Sequence, residues 1–400
     1  MKFKKFTLYK RNKLFYISIL FVLVFVLMLS STIVYAENQD SEAIYKELNH
    51  NIENIISGID FSGLNDIVSE LDDFNLFRNG VLDKLKNILS GQYFNDYGSL
   101  FSSIFSLLIV DIKEFLPFLF TILAIGILSN LLSEFKSGES SSDIVHYSCL
   151  SVMILSVLFV FKDVLLVTSN TLELILKQMQ IIFPILITLL ASIGSFTTIS
   201  IYNPLVAVLT TIVSFVFEKL LYPMFIAMFL FTIIGNLTNT IKLDKIQGFV
   251  TSSFKWIVGI VFTLFTGFLS IQGISAGKFD SVSIKATKFA VKSYIPIIGS
   301  YLSDGMDFLV LGSVLVKNSI GLVGVLILFF SIISPIVSIL VLKLGLQLVS
   351  GVLEMSGSSK MSSFLSNCSK ILIYPIVLIL GVAFMYVITI SLIMCTANIF

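Results

Sequence analysis

The sequence predicts an all-α fold: a polytopic bundle of transmembrane helices, some kinked or re-entrant, with a small exported helical region near the N-terminus. Three observations carry this. Charged residues make up 13% of the chain and hydrophobic ones 56%, where a soluble domain carries about 25% charged residues. From Ile104 onward the apolar runs come in units close to the roughly 20 residues that cross the hydrocarbon core as a helix. Period-two alternation is missing, so helices rather than a closed barrel must satisfy the backbone in lipid. The mean hydropathy of +0.98 agrees, and the net charge of +1 hides a strong asymmetry along the chain.

The first element is a leader. Lys2, Lys4, Lys5, Lys10, Arg11 and Lys13 form a basic head, residues 14–29 an apolar core, and Val34-Tyr35-Ala36 a small-x-small-like site ahead of Glu37. This pattern predicts a signal peptide over residues 1–36, cleaved between Ala36 and Glu37. An uncleaved anchor is the alternative, because residues 14–36 are almost long enough to span. In both cases the basic head stays in the cytoplasm and the chain beyond residue 36 is exported.

Residues 37–103 form the exported region. Twelve Asp or Glu stand there against Lys46, Arg78, Lys84 and Lys86, and acidic character suits the translocated side. Ile44, Leu48, Ile52, Ile55, Ile56 and Ile59 make one helical stripe, and Ile67, Leu71, Phe74 and Phe77 another. Ser62, Asn65 and Asn79 read as helix starts, and Gly58, Gly63, Gly80 and Gly91 as stops. A core of this size is small to stand alone, which favours packing on a partner or on the membrane.

Residues 104–400 form the membrane domain, with about seven spans at 115–132, 144–161, 181–201, 220–241, 256–273, 320–342 and 371–394. The run 204–217 is short; it reads as a half-helix joined to 220–241 through a kink at Pro223, or as one arm of a re-entrant hairpin. Residues 294–316, interrupted by Asp304 and Asp307, read as a second re-entrant candidate. The linkers 242–255, 274–293 and 355–370 are all basic and point to the cytoplasm. The first two flank a single apparent span, so they conflict unless a segment is re-entrant.

Seven prolines (Pro117, Pro184, Pro204, Pro223, Pro296, Pro335 and Pro375) fall in or near these runs, and each removes a helix hydrogen bond outside a first turn. Cys149 and Cys395 lie in apolar runs and Cys368 in a Ser/Lys-rich loop. With two histidines in the chain, no disulfide framework or metal spacing emerges, and no cofactor is implied. Motifs for zinc hydrolysis, phosphate cradling and a nucleophile elbow are missing, so the chain does not read as an enzyme. No basic–aromatic patch in the exported region points to nucleic acid; membrane lipid is the partner that composition requires.

The chemistry-bearing stretch is 285–321. Lys285 and Lys288 lead in, Pro296 and Gly299 follow, then Asp304 and Asp307, then Lys317, Asn318 and Gly321. On a helix Asp304 and Asp307 share a face; such carboxylates can bind a cation or move a proton, or pair with Lys285, Lys288, Lys292 or Lys317. A lysine at position 317 between apolar runs reads as a snorkelling side chain at an interfacial turn. Gly299, Gly305, Gly312, Gly321 and Gly324, with Ser300, Ser303, Ser313 and Ser319, form a small-residue surface for close helix approach.

These short motifs, in this order, resemble the stage III sporulation protein AE family of endospore-forming bacteria: a lysine pair, Pro-x-x-Gly, Ser-Asp-x-x-Asp and Leu-x-Lys-Asn-x-x-Gly. Length, leader and span layout extend the resemblance over nearly the whole chain. It implies a component of a channel or feeding apparatus in the mother-cell membrane around the engulfed forespore. It further implies, as partners, other membrane and ring-forming products of the same sporulation operon and a cytoplasmic ATPase. A stand-alone permease and a purely structural scaffold are the alternatives.

Overall fold

The computed structural model describes residues 41–69, 80–90, 97–134, 139–237, 243–294 and 299–396. The leader, its Ala36–Glu37 site, the second stripe beyond residue 69, Asn79, Gly91 and Pro296 lie outside these residues. The chain falls into two compact units, Met1–His50 and Asn51–Phe400. In the first, the described residues are helical and begin α1 (Ser41–Ser57).

In the second unit, Ile52 and Ile56 of the remaining α1 turns are buried. Two short helices follow, α2 (Ser62–Ser69) and α3 (Gly80–Leu89). Ser62 opens α2 as read, with its N–H donating to Asp60 Oδ1 at 2.9 Å. Gly63 and Gly80 differ from their reading as stops: Gly63 lies inside α2, and Gly80, at φ 87°, opens α3. A Cβ at Gly63 would stand 3.1 Å from Ile181, so α2 rests closely on the membrane domain. α2 thus packs on other helices of its unit rather than standing alone, as a core of its size requires.

The remaining elements are α4 (Tyr97–Glu134), α5 (Glu139–Ile193), α6 (Phe196–Phe215), a π turn (Val216–Leu221), α7 (Tyr222–Leu237), α8 (Asp244–Tyr294), α9 (Gly299–Met355), α10 (Ser359–Ile371) and α11 (Ile373–Cys395). Every described element is helical, and six helices are long and apolar enough to cross a membrane. The protein is a membrane protein with an all-α polytopic bundle.

Several boundaries differ from the sequence reading. The runs 144–161 and the first part of 181–201 belong to one 55-residue helix, α5. The polar residues between them carry no backbone break, so the helix continues through them. It stops at Gly194, whose φ of 84° allows the N–H of Ser195 to reach Leu190 O at 3.0 Å and that of Gly194 to reach Ala191 O at 2.9 Å, a Schellman end. Gly357 ends α9 in the same way. Residues 299–316 are not re-entrant: they are the first turns of the continuous α9. Residues 204–217 likewise make no hairpin, because α6 runs through the π turn into α7. Pro223 has no N–H for the carbonyl four residues back. The turn before it widens, and the N–H of Tyr222 bonds to Phe217 O instead.

No re-entrant segment separates the two conflicting basic linkers. Both 244–255 and 274–293 lie on the 51-residue helix α8, which at 1.5 Å per residue extends about 76 Å, more than twice the hydrocarbon thickness of roughly 30 Å. The linker 355–370 is mostly α10, and Cys368 sits buried on that helix rather than in a loop. All three cysteines are free.

Helices α9, α10 and α11 form the core: half of the most apolar window of α9 and 61% of that in α10–α11 are buried, against 6% for α8. Helix α10 runs back along α9, with Ser350 Oγ donating to Ser362 O at 2.9 Å and Ser369 Oγ to Lys343 O at 2.9 Å. Helix α11 continues the same way past Gly324 and Gly321, where a Cβ would come within 2.8 Å of Ile182 and 2.6 Å of Met394. These glycines are where the small-residue surface serves close approach.

Candidate functional site

The polar stretch 285–321 does not form a single site. Residues 285–294 end α8, Gly299 opens α9, and Asp304 stands one turn before Asp307 on that helix. Lys288 Nζ forms an ion pair with Asp307 Oδ1 across the α8–α9 hairpin. Of the four pairings the sequence left open, Lys288 is therefore the partner of Asp307. The two side chains are 13% and 44% exposed, so solvent screens the pair and it contributes on the order of 1 kcal/mol or less. Lys285 and Lys292 are exposed on α8.

Lys317 behaves differently. It is fully buried, and its Nζ donates to Met394 O at 3.2 Å and also to Thr396 O. The snorkelling reading is thus overturned: residue 317 sits mid-helix, and its ammonium turns inward to another helix end. The physical reason is that the last turn of α11 leaves carbonyls without intrahelical donors. The negative end of its dipole also favours a cation there. Asn318 beside it keeps its Oδ1 buried without a hydrogen-bond partner among the described residues. Gly321, one turn on, gives Met394 the room that brings the α11 terminus to Lys317.

Sequence reasoning missed the matching anion. Asp280 of α8 is 1% exposed, and its two carboxylate oxygens accept from Thr197 N at 3.0 Å and Thr198 N at 2.9 Å. It caps α6 from 82 residues away, where the N-cap residue Ser195 makes no side-chain bond of its own. A carboxylate on unpaired N–H groups at the positive helix end is the electrostatic converse of Lys317. The sequence signal was weak: one aspartate in a basic stretch, and a Gly-Ser break before a helix start. Chemically the arrangement holds a buried anion and a buried cation on backbone dipoles. Among the described residues no group of His, Cys, Asp and Glu is placed to hold a metal.

Comparison with known proteins gives the assignment. The family model described as stage III sporulation protein AE matches residues 81–397, a span containing both caps and the whole of 285–321. The chain is similar to stage III sporulation protein AE of Bacillus subtilis (strain 168), at 22% identity over 272 residues, covering 68% of each chain. No solved structure matches. The chain therefore belongs to the stage III sporulation protein AE family.

Proposed function

We propose that this sporulation protein is an integral membrane component of the channel complex that links mother cell and forespore, and that forespore development and late forespore gene expression require it. It sits in the mother-cell membrane around the forespore, with residues 37–103 outside the cytoplasm. Other membrane and ring-forming proteins of the same operon are its partners. A cytoplasmic ATPase of the complex supplies energy, and the chain itself performs no catalysis. The observation that carries this reading is the family match over residues 81–397 on a bundle with six membrane-length helices. The twelve acidic residues of 37–103 support its placement, because positive charge is what retains loops in the cytoplasm.

The test is a deletion strain complemented with an affinity-tagged full-length chain. Loss of late forespore gene expression after engulfment, its restoration by the tagged chain, and co-purification of the operon's membrane and ring-forming proteins are expected. Normal spores without the chain, or recovery of the tagged protein from the forespore membrane alone, contradict the reading.

A further inference from the structure

Three lysines close three apolar runs at one place in the bundle. Lys255 directly precedes the run 256–273 on α8, Lys343 directly follows 320–342 on α9, and Lys370 directly precedes 371–394. The fold brings these ends together around the junction of α10 and α11. Ser369 Oγ donates to Lys343 O at 2.9 Å, Lys370 is the next residue, and Tyr374 stands one turn further on. Lys255 Nζ lies 5.8 Å from the centre of the Tyr374 ring, and Phe254 meets the same ring at 5.0 Å. None of the three lysines forms an ion pair among the described residues, and Lys370 donates to the neutral Asn367 Oδ1 at 3.1 Å. Lys255 and Lys370 are exposed and Lys343 is half-buried. Positive charge thus collects at the edge of an apolar zone, where membrane helices place lysine, tryptophan and tyrosine at the level of lipid headgroups.

Lys255 also heads a groove of about 500 Å³ on the outer face of α8, lined further by Trp256, Gly259, Ile260, Thr263 and Leu264. No helix among the described residues covers this face: Trp256 is 69% exposed, and a Cβ on Gly259 would meet nothing within 4 Å. From Lys255 to Leu264 the groove extends about 13 Å along the helix axis. Its polarity is graded. The ammonium and the indole N–H stand at one end, and the rest is apolar, because the Thr263 hydroxyl turns back to Gly259 O at 2.7 Å. A charged head followed by a hydrocarbon chain matches that gradient. A soluble acidic peptide would satisfy the lysines and leave the apolar floor empty. Lysines beside membrane helices attract anionic lipids, and a zwitterionic headgroup offers them no net charge.

We propose that this face of α8 binds an anionic phospholipid. Lys255 meets its phosphodiester within the positive field of Lys343 and Lys370, and one acyl chain lies along Gly259, Ile260 and Leu264.

Trp256 is the chain's only tryptophan, so its emission reads this groove directly. The full-length protein is reconstituted in phosphatidylcholine vesicles containing a minor share of lipid with brominated acyl chains, which quench indole on contact. Brominated phosphatidylglycerol reaches half-quenching at a share about tenfold lower than brominated phosphatidylcholine does, as two or more lysines at the headgroup favour an anion. Lys255→Gln combined with Lys370→Gln closes that gap. Gly259→Leu, which fills the groove floor, closes it too. All three positions are exposed, so these changes leave the fold intact. Lys285→Gln combined with Lys292→Gln removes the same charge from exposed positions further along α8, and keeps the gap. Equal half-quenching by the two lipids means ordinary lipid solvation. No quenching by either means that a second copy or another protein covers the face. Loss of the gap in the Lys285/Lys292 variant means general surface charge. Each of these results overturns the proposal, as does a gap that survives either groove change.

Discussion

Lys288 and Lys317 belong to one short polar stretch, yet they solve opposite problems. Lys288 sits at a half-exposed helical hairpin and meets a carboxylate, Asp307. Lys317 sits in the packed core and meets backbone carbonyls at the end of α11. Water screens the first pair and can replace either partner. In the second, the ammonium and the carbonyls are shielded together, so removing one strands the other. The same residue type is nearly optional in one place and a condition of folding in the other, and burial decides which.

The contrast breaks most sharply at Lys317. Lys317→Glu puts an anion against the negative end of α11 and should cost about 3–5 kcal/mol, as for an uncompensated buried charge. Membrane-localised protein should fall below a tenth of the parent level on immunoblots. Asp280→Ala tests the converse cap: it leaves the N–H groups of Thr197 and Thr198 unpaired, at about 3 kcal/mol. Faster hydrogen exchange confined to the first turn of α6 is the readout.

Gly321→Leu probes whether the helix end must come close. Its side chain would enter the space of Met394 and Ile390, costing about 1–3 kcal/mol, seen as a lowered midpoint in detergent. The smallest effect belongs to Asp307→Asn, at about 1 kcal/mol or less. Protein levels should stay normal, and combining it with Lys288→Gln should add almost nothing. Normal levels with failed spore maturation in Asp307→Asn would sharpen the contrast further, by showing that the exposed pair serves assembly rather than folding.

Much of this was legible in the sequence. Hydropathy identified the bundle, Ser62 announced α2, and Lys288 stood among the four candidate partners of Asp307. Helix lengths were not legible, because Lys162, Asp163, Glu173 and Lys177 look like linker residues. A helix longer than the bilayer is thick can carry them without a break. The caps were hidden for a different reason. Asp280 and Lys317 bind backbone groups 82 and 79 residues away, and backbone donors and acceptors leave no trace in residue identity.

The most direct test of the central contrast is a paired measurement: thermal unfolding of Lys288→Met and Lys317→Met in the same nanodiscs. Methionine keeps much of the apolar stem and removes the ammonium in both. A midpoint close to the parent for Lys288→Met, and a clear drop of about 2 kcal/mol in stability for Lys317→Met, is the predicted result. Equal losses in the two variants, or a larger loss at Lys288, would contradict the claim that burial against the α11 carbonyls sets Lys317 apart.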